Sequence, residues 1–258
     1  MWIDSHCHLD FFPPPDIKMA LQSAKISQVT HIIIPSVSPE NIERVIAVAN
    51  QDDALSYALG FHPMYIDQIK EADILRLSDC VKNSLPIAIG EIGIDLFVKN
   101  DNIQQQEYFF IAQLKLAIEY DLPVILHTRN AADIVLKHLR RHKVRGGIAH
   151  AFNGSLQQAH QFIDLGFKLG FGGAMTYPRA KHIQRLAKEL PIEAIVLETD
   201  SPDMPPSWLE KNIQNQPKEL DKIGLFLAQL RGLDPIKMAN SIRENTLQVL
   251  PGLVKLCT

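Results

Sequence analysis

The segment Ile3-Asp4-Ser5-His6-Cys7-His8 sets two imidazoles two residues apart at the end of an apolar N-terminal run. In an extended strand, residues at this spacing point to the same face of the sheet. His6 and His8 can therefore reach one metal ion together. Alone the pair is weak evidence, because two histidines at this spacing also occur on solvated strands. Its significance depends on whether other parts of the chain supply further ligands.

Four further runs of small or branched apolar residues each end in a side chain that can bind a metal. Each run directly precedes its candidate ligand: Ile87-Ala88-Ile89-Gly90 precedes Glu91, Val124-Ile125-Leu126 precedes His127, Gly147-Ile148-Ala149 precedes His150, and Ile195 to Thr199 precedes Asp200. Five predicted strand ends thus supply six candidate metal ligands, namely His6, His8, Glu91, His127, His150 and Asp200.

The composition fits one large α/β domain. The chain has 258 residues, of which 46% are hydrophobic and 21% charged, and a single α/β barrel of about 250 residues is a common solution at this length. The formal net charge of −3 excludes the basic field that dominates nonspecific nucleic-acid binding. A polyanionic substrate would need metal ions and local Arg or Lys to attract it.

Apolar runs alternate with helical patterns almost from end to end, which indicates βα units and a parallel sheet. Helix starts are predicted at Ser38-Pro39 and Asp234-Pro235, where a capping residue precedes a proline, and a helix stop at Leu165-Gly166. The eight predicted strands are Trp2 to Ser5, His31 to Pro35, Leu55 to Gly60, Ile87 to Glu91, Val124 to His127, Gly147 to His150, Lys168 to Gly172 and Ile195 to Thr199.

Eight strand-helix units suggest a closed barrel, with an open doubly wound sheet as the alternative. An open sheet gathers its site between a few strands, whereas the candidate ligands here come from the first, fourth, fifth, sixth and eighth. Only closure brings the first and eighth strands together. We therefore expect one domain over residues 1–258, an α/β fold of the (β/α)8 TIM-barrel type found in metal-dependent hydrolases.

The cysteines favour a reducing compartment. Cys7, Cys80 and Cys257 are far apart, odd in number and without CxxC spacing, so we expect free thiols and a cytoplasmic protein. Because side chains alternate along a strand, we expect Cys7 to point away from the two histidines and to be a small buried residue. The sequence shows neither a signal-peptide pattern nor a window resembling a membrane span, so we expect no membrane association.

Histidines mixed with carboxylates suit zinc, manganese or another first-row divalent ion, and magnesium stays possible. Six ligands are too many for one tetrahedral ion but suit two adjacent ions. Glu91 is then the candidate bridging carboxylate. Hydrolysis by metal-activated hydroxide is the natural reaction, and Asp200 can hold an ion and also take the proton of the attacking water.

Three residues near the predicted site are candidates for substrate binding. His62 follows the third strand, and a plain loop histidine explains it as well as a site contact does. Arg129 and Arg179 follow the fifth and seventh strands and can meet phosphate, although an isolated arginine is more often a solvated surface charge. Asp4 lies two and four positions before His6 and His8, so its side chain should point to the same face of the strand, and we expect it to support these ligands.

Six motifs together resemble the TatD family of metal-dependent deoxyribonucleases, in the family's order and spacing from Ile3 to about Leu250. They are Asp4-Ser5-His6-Cys7-His8-Leu9-Asp10, Gly60-Phe61-His62-Pro63, Gly90-Glu91-Ile92-Gly93-Ile94-Asp95, Pro123-Val124-Ile125-Leu126-His127-Thr128-Arg129, His150-Ala151-Phe152-Asn153-Gly154 and Leu197-Glu198-Thr199-Asp200-Ser201-Pro202. Asp95-Leu96-Phe97, Thr176-Tyr177-Pro178-Arg179-Ala180 and Pro202-Asp203-Met204-Pro205 look most similar to its YjjV branch.

The resemblance implies a (β/α)8 barrel with two divalent metal cations per subunit. Carried onto matching positions, the first ion would be held by His6, His8, Glu91 and Asp200, and the second by Glu91, His127 and His150. The implied activity is hydrolysis of DNA phosphodiester bonds, often from the 3′ end. One departure concerns substrate preference: many TatD proteins have Asn-Glu-Pro where this chain has Asn215-Gln216-Pro217.

Two other functions stay open at this stage. The same metal pair could serve an amidohydrolase-like enzyme that cleaves an amide, ester or phosphoester in a small molecule, although many such enzymes carry a bridging lysine where this chain has Glu91. A metal-bound barrel acting as a binding module is the third possibility. No obligate protein partner is evident from the sequence.

Overall fold

The computed structural model describes residues 1–97 and 102–255. Its centre is one eight-stranded sheet whose strands are all parallel and follow one another in chain order. The strands are β1 (Trp2–Asp4), β2 (Val29–Pro35), β3 (Leu55–Leu59), β4 (Ala88–Asp95), β5 (Val124–Arg129), β6 (Gly147–Ala149), β7 (Phe167–Phe171) and β8 (Ile195–Leu197).

Helices connect the strands and cover the outside of the sheet. They are α1 (Pro14–Ile26), α2 (Ile42–Ala49), α3 (Glu71–Ser84), α4 (Ile103–Glu119), α5 (Ala132–Arg141), α6 (Leu156–Asp164), α7 (Lys181–Glu189), α8 (Leu220–Arg231) and α9 (Pro235–Val249). This is a (β/α)8 barrel, as the sequence predicts.

The predicted helix start at Ser38-Pro39 is wrong. α2 begins at Ile42, because the side chain of Asn41 accepts hydrogen bonds from the backbone N–H groups of Val37 and Ser38 and holds a turn there instead. The other predicted start is confirmed: Asp234 accepts hydrogen bonds from two N–H groups of the first turn of α9. The helix stop is also confirmed, since Gly166 follows α6 with a φ of 85°.

Two hydrophobic clusters hold the barrel together. The larger one fills the space between the strands and the helices. The smaller one contains inward-facing strand residues such as Ile3, Ile33 and Ile125, and beneath them Val249 and Leu250, where α9 ends. Each such side chain contributes roughly 1.5–3 kcal/mol by leaving water. The C-terminal segment therefore seals the amino-terminal end of the barrel.

Hydrogen bonds join the two edges of the sheet. Backbone bonds run from Ser5 N to Leu197 O and from Asp200 N to His6 O, at 3.0 and 2.9 Å. The buried carboxylate of Asp4 accepts bonds from the backbone N–H and the hydroxyl of Thr199, at 3.0 and 2.6 Å. The ends of β1 and β8, almost two hundred residues apart in sequence, are thereby fixed side by side.

Cys7 is fully buried and free, and Cys80 is also free, whereas Cys257 lies outside the described residues. Within residues 1–97 and 102–255, no helix combines the length and the apolar character that crossing a bilayer requires.

Replacing Thr199 by Val should destabilise the fold by about 2 kcal/mol, because a buried carboxylate oxygen of Asp4 then loses its hydroxyl donor. Urea unfolding measures the change. Thr246→Val is the matched control: this threonine is equally buried, and its hydroxyl donates to a carbonyl within its own helix. The control should cost less than about 1 kcal/mol, and equal losses would show that the Asp4 bond does not hold the two edges.

His31 should make the fold sensitive to acid. His31 belongs to β2, and its Nε2 lies 2.7 Å from the hydroxyl of Ser56. Burial lowers the pKa of this imidazole to about 4. Because this pKa is lowered, the folded state favours the neutral ring. The stability that the buried neutral ring contributes is therefore complete above pH 6.5 and is lost as the pH falls towards 4. His31→Gln should flatten the pH dependence of unfolding free energy in this window by about 3 kcal/mol in total. An unchanged profile would contradict this assignment.

Candidate metal centre

The six candidate metal ligands meet at the carboxyl end of the barrel. Four of them follow a strand, Glu91 and His127 lie within β4 and β5, and the carboxyl ends of parallel strands form one rim when the sheet closes. Their side chains are between 0% and 16% exposed. The structure therefore brings together His6 and His8 after β1, Glu91 from β4, His127 from β5, His150 after β6 and Asp200 after β8.

Four of these side chains converge on one point. The Nε2 atoms of His6 and His8 are 3.2 Å apart, and Glu91 Oε2 lies 3.2 Å from the former and 3.6 Å from the latter. Asp200 Oδ1 is 3.6 Å from both nitrogens. Ligand atoms about 2.1 Å from a tetrahedral ion are about 3.4 Å from one another. The donor atoms thus have the spacing that a metal ion requires.

Glu91 extends between two groups of imidazoles. Its Oε2 faces His6 and His8, while its Oε1 lies 2.9 Å from His127 Nδ1 and 3.5 Å from His62 Nε2. Three groups of donor atoms close enough to hold an ion result: His6, His8 and Asp200; His6, Glu91 and His150; and His62, Glu91 and His127. The implied second set of Glu91, His127 and His150 is divided between the last two groups.

An irregularity in β4 aims Glu91 into the barrel. The register with β5 shifts between Ile89 and Ile92, so that β4 holds one residue more than its neighbour, as in a bulge beside an active site. A Cβ on Gly90 would lie 2.7 Å from that of Ile125, so only glycine allows this approach. The strand also runs on to Asp95, four residues beyond its predicted end.

Asp95 is a functional residue that the sequence analysis did not select. Its Oδ2 lies 2.9 Å from His127 Nε2, so it can accept a hydrogen bond from Nε2–H and leave Nδ1 directed towards Glu91. Asp95 is buried and lies an even number of positions after Glu91 along β4, at the second alternate residue. That parity was the available signal, because alternate residues of a strand share a face.

Glu198 is the second residue that was missed, and its carboxylate lies beside the ring of His150. Its Oε1 is 3.1 Å from His150 Nδ1 and accepts a hydrogen bond from Ala151 N. The carboxylate fits because position 170 is glycine: a Cβ there would lie 2.3 Å from Glu198 Oε2. His150 Nε2 is left facing Asp200, 3.8 Å from Oδ2.

Asp4 supports His6 through the backbone of that residue. Its carboxylate accepts from His6 through the backbone N–H, at 3.3 Å, and otherwise bonds Thr199. Burial raises the pKa of Asp4 to about 7, although these bonds act in the opposite direction. Asp4 therefore fixes the chain that carries His6, while the His6 ring contacts other groups.

The site concentrates carboxylates in a buried space. Burial acts to raise the pKa of Glu91, but the surrounding His62, His6 and His127 outweigh it and hold that pKa well below its usual value. Burial raises the pKa of Asp200 to about 6. Glu198 Oε2 has no hydrogen-bond partner among the described residues. Anionic oxygens crowded in this way fit a site that binds cations.

The imidazoles are perturbed in different directions. Burial strongly lowers the pKa of His6 and lowers that of His62 to about 3. For His150, burial acts in the same direction, but the carboxylates of Glu198 and Asp200 outweigh it and raise the pKa to about 10. A divalent ion would compete with that proton, so ion binding and proton release are coupled at His150.

A cavity of about 1280 Å³ opens above these groups, and His62 and Arg129 line it. The Arg129 guanidinium lies over the ring of Phe97, 3.6 Å from its centroid. Arg179 does not line this cavity; it lies in a neighbouring pocket of about 320 Å³ beside Tyr177. Of the three candidate substrate-binding residues, the structure thus places two at the main cavity.

Comparison with known proteins identifies the family. The sequence model of a family described as TatD related DNase matches residues 3–251. The chain is 39% identical to the Escherichia coli protein named uncharacterized metal-dependent hydrolase YjjV, over 95% of this chain and 96% of that protein. It is 33% identical to an uncharacterized metal-dependent hydrolase of Haemophilus influenzae, over 96% and 98% of the two chains.

A solved structure gives the same result. The crystal structure of YjjV, a TatD homologue from Escherichia coli, superimposes with a TM-score of 0.92 at 38% identity and covers 97% of this chain and 98% of that one. The match thus extends over the whole barrel, including every strand that contributes to the site. The chain belongs to the TatD family and is a metal-dependent hydrolase.

Proposed function

We propose that this protein is a deoxyribonuclease with two divalent metal ions, acting as a 3′–5′ exonuclease on DNA phosphodiester bonds. The observation that carries the proposal is the position of Glu91, whose two oxygens face two separate groups of imidazoles. A carboxylate with one oxygen towards each group would help to hold two adjacent ions. The family name supports DNA as the substrate.

In this proposal His6, His8, Glu91 and Asp200 hold one ion, and Glu91, His127 and His150 hold the other. Zinc, manganese and magnesium all suit such a mixed donor set, and nitrogen donors favour the first two. When bound, the ions supply an activated water and neutralise charge on the phosphoryl oxygens. Elemental analysis of the protein should give two ions per chain.

Residues of the chain then orient the ligands, bind the substrate and accept the proton of the attacking water. Asp200, which follows β8 and lines the cavity, is placed to accept a proton from the attacking water, a role that needs hydrogen-bond reach. Asp95 and Glu198 hold the rings of His127 and His150 in one orientation. Arg129, at the mouth of the cavity, is placed to meet a phosphate of the substrate.

The cavity volume of about 1280 Å³ exceeds the roughly 300–1,000 Å³ of most small-molecule pockets, which supports the end of a polymer as the substrate. A cytoplasmic location accords with the free thiols of Cys7 and Cys80.

An amidohydrolase-like hydrolase of a small-molecule amide, ester or phosphoester is the second candidate. The net charge of −3 favours it, because a negative protein repels DNA. Parallel assays on single-stranded DNA, a phosphotriester and a cyclic amide distinguish the two functions, and turnover of the small substrates alone would overturn the proposal.

Glu91→Gln should reduce DNA hydrolysis by about 10³-fold or more, because the amide keeps the shape but loses the charge that two ions share. Metal content, measured on the same sample, should fall below two ions per chain. The matched control is Glu43→Gln, since Glu43 is an exposed glutamate paired with Arg76 on the outer surface. Full activity of Glu91→Gln, or activity that survives chelation, would contradict the proposal.

Asp95→Asn should weaken the binding of one ion by about 10- to 100-fold, because His127 loses the carboxylate that fixes its ring. The other ion should bind as before, so a titration with Mn²⁺ should change from two tight sites to one. Asp133→Asn is the control: Asp133 lines the same cavity and contacts Gln158. Equal weakening at both sites, or at neither, would show that Asp95 does not act through His127.

A further inference from the structure

His62 stands at the edge of the ion-binding groups. It follows the end of β3, directly before a short 3-10 helix at Pro63–Gln68, and its side chain accepts a hydrogen bond from the first free N–H of that helix. The ring is 8% exposed, lies 4.1 Å from the His127 ring between centroids, and lines the main cavity.

The hydrogen bond at the helix start determines which ring nitrogen carries the proton. Met64 N lies 3.1 Å from His62 Nδ1, and a backbone N–H can only donate, so Nδ1 must present its lone pair. A neutral imidazole has one N–H, and an imidazolium has no free lone pair. His62 is therefore neutral, with its hydrogen on Nε2.

This tautomer decides between two roles for His62. Its Nε2 belongs to a group with Glu91 and His127 that has the spacing of a metal site, but a nitrogen that carries hydrogen has no lone pair for an ion. Nε2–H is instead a donor directed at the site. Its described polar contact, Glu91 Oε1 at 3.5 Å, is long for a hydrogen bond, so the donor is available to a substrate.

We propose that His62 is a catalytic hydrogen-bond donor, whose Nε2–H binds a non-bridging oxygen of the scissile phosphate beside Glu91. This inference rests on the proposed phosphodiesterase function. A fixed donor stabilises the negative charge that builds on that oxygen in the transition state. A neutral ring also suits this position, because a cationic side chain would repel the ions held next to it.

The tautomer can be measured directly. In protein labelled with ¹⁵N-histidine and loaded with Mg²⁺, two-bond ¹H–¹⁵N spectra should show His62 with a protonated Nε2 and an unprotonated Nδ1. Inorganic phosphate should shift the Nε2–H signal as it binds. A protonated Nδ1, or an Nε2–H signal that does not respond to bound phosphate, would overturn the proposal.

Two substitutions separate donation from structural and metal-binding roles. His62→Leu removes the donor, so phosphate should bind about 10-fold more weakly and kcat for DNA should fall by about 10²-fold. His62→Gln places an amide N–H near the position of Nε2–H and should recover much of both losses. His138→Leu, which removes a buried imidazole on α5 whose hydrogen-bond partner is Glu107, is the control for loss of a buried ring.

Metal content shows whether His62 is a hydrogen-bond donor or a metal ligand. The wild type and both His62 variants should contain the same number of ions, whereas loss of one ion in both variants would make His62 a ligand and overturn the proposal. Equal defects in the Leu and Gln variants would also overturn it. If the wild type cleaves no DNA, the proposed function fails, but the tautomer and the phosphate titration still decide whether His62 is a donor.

Discussion

The site depends on the closure of the sheet between its first and last strands. The carboxylate of Asp4 bonds the backbone and hydroxyl of Thr199, and the carbonyl of His6 accepts from the backbone N–H of Asp200. These bonds bring Asp200 within 3.6 Å of two histidines that precede it by more than 190 residues. Without them β1 and β8 would be two free edges, and the donor atoms would have no common centre. The same carboxylate thus serves both the fold and the geometry of the site.

A second constraint is that each imidazole must present a chosen nitrogen. Asp95 does this for His127 through a hydrogen bond with Nε2, and Glu198 lies 3.1 Å from Nδ1 of His150, the nitrogen that faces away from Asp200. At His62 a backbone N–H of the helix start has the corresponding role and leaves a hydrogen, rather than a lone pair, at the site. These three imidazoles therefore differ in chemistry because a different group lies next to the ring nitrogen that faces away from the site. The surplus of buried carboxylates also means that cations stabilise this end of the barrel.

Much of this could be predicted from the sequence, because strand periodicity and the ends of apolar runs are local signals. All eight strands were found, and so were the six side chains that meet at the rim. The length of β4 was underestimated because Gly93 interrupts its apolar pattern, although Ile92 and Ile94 pair with β5. Asp95 and Glu198 were missed because their roles depend on partners from neighbouring strands. The place of Arg179 depends on a loop, whose path has no periodicity from which to predict it.

The covered amino-terminal end of the barrel, which is its floor, has a consequence for how the protein is made. Ile3 from the first strand and Leu250 and Leu253 near the end of the chain belong to one hydrophobic cluster. A ribosome releases the chain from its amino terminus onwards, so Ile3 emerges well before Leu250 and Leu253, the distant members of its cluster, have been made. A partly synthesised chain holds His6 and His8 without Asp200 and without a sealed floor. The six candidate ligands can therefore come together only after the last strand and Asp200 have been made.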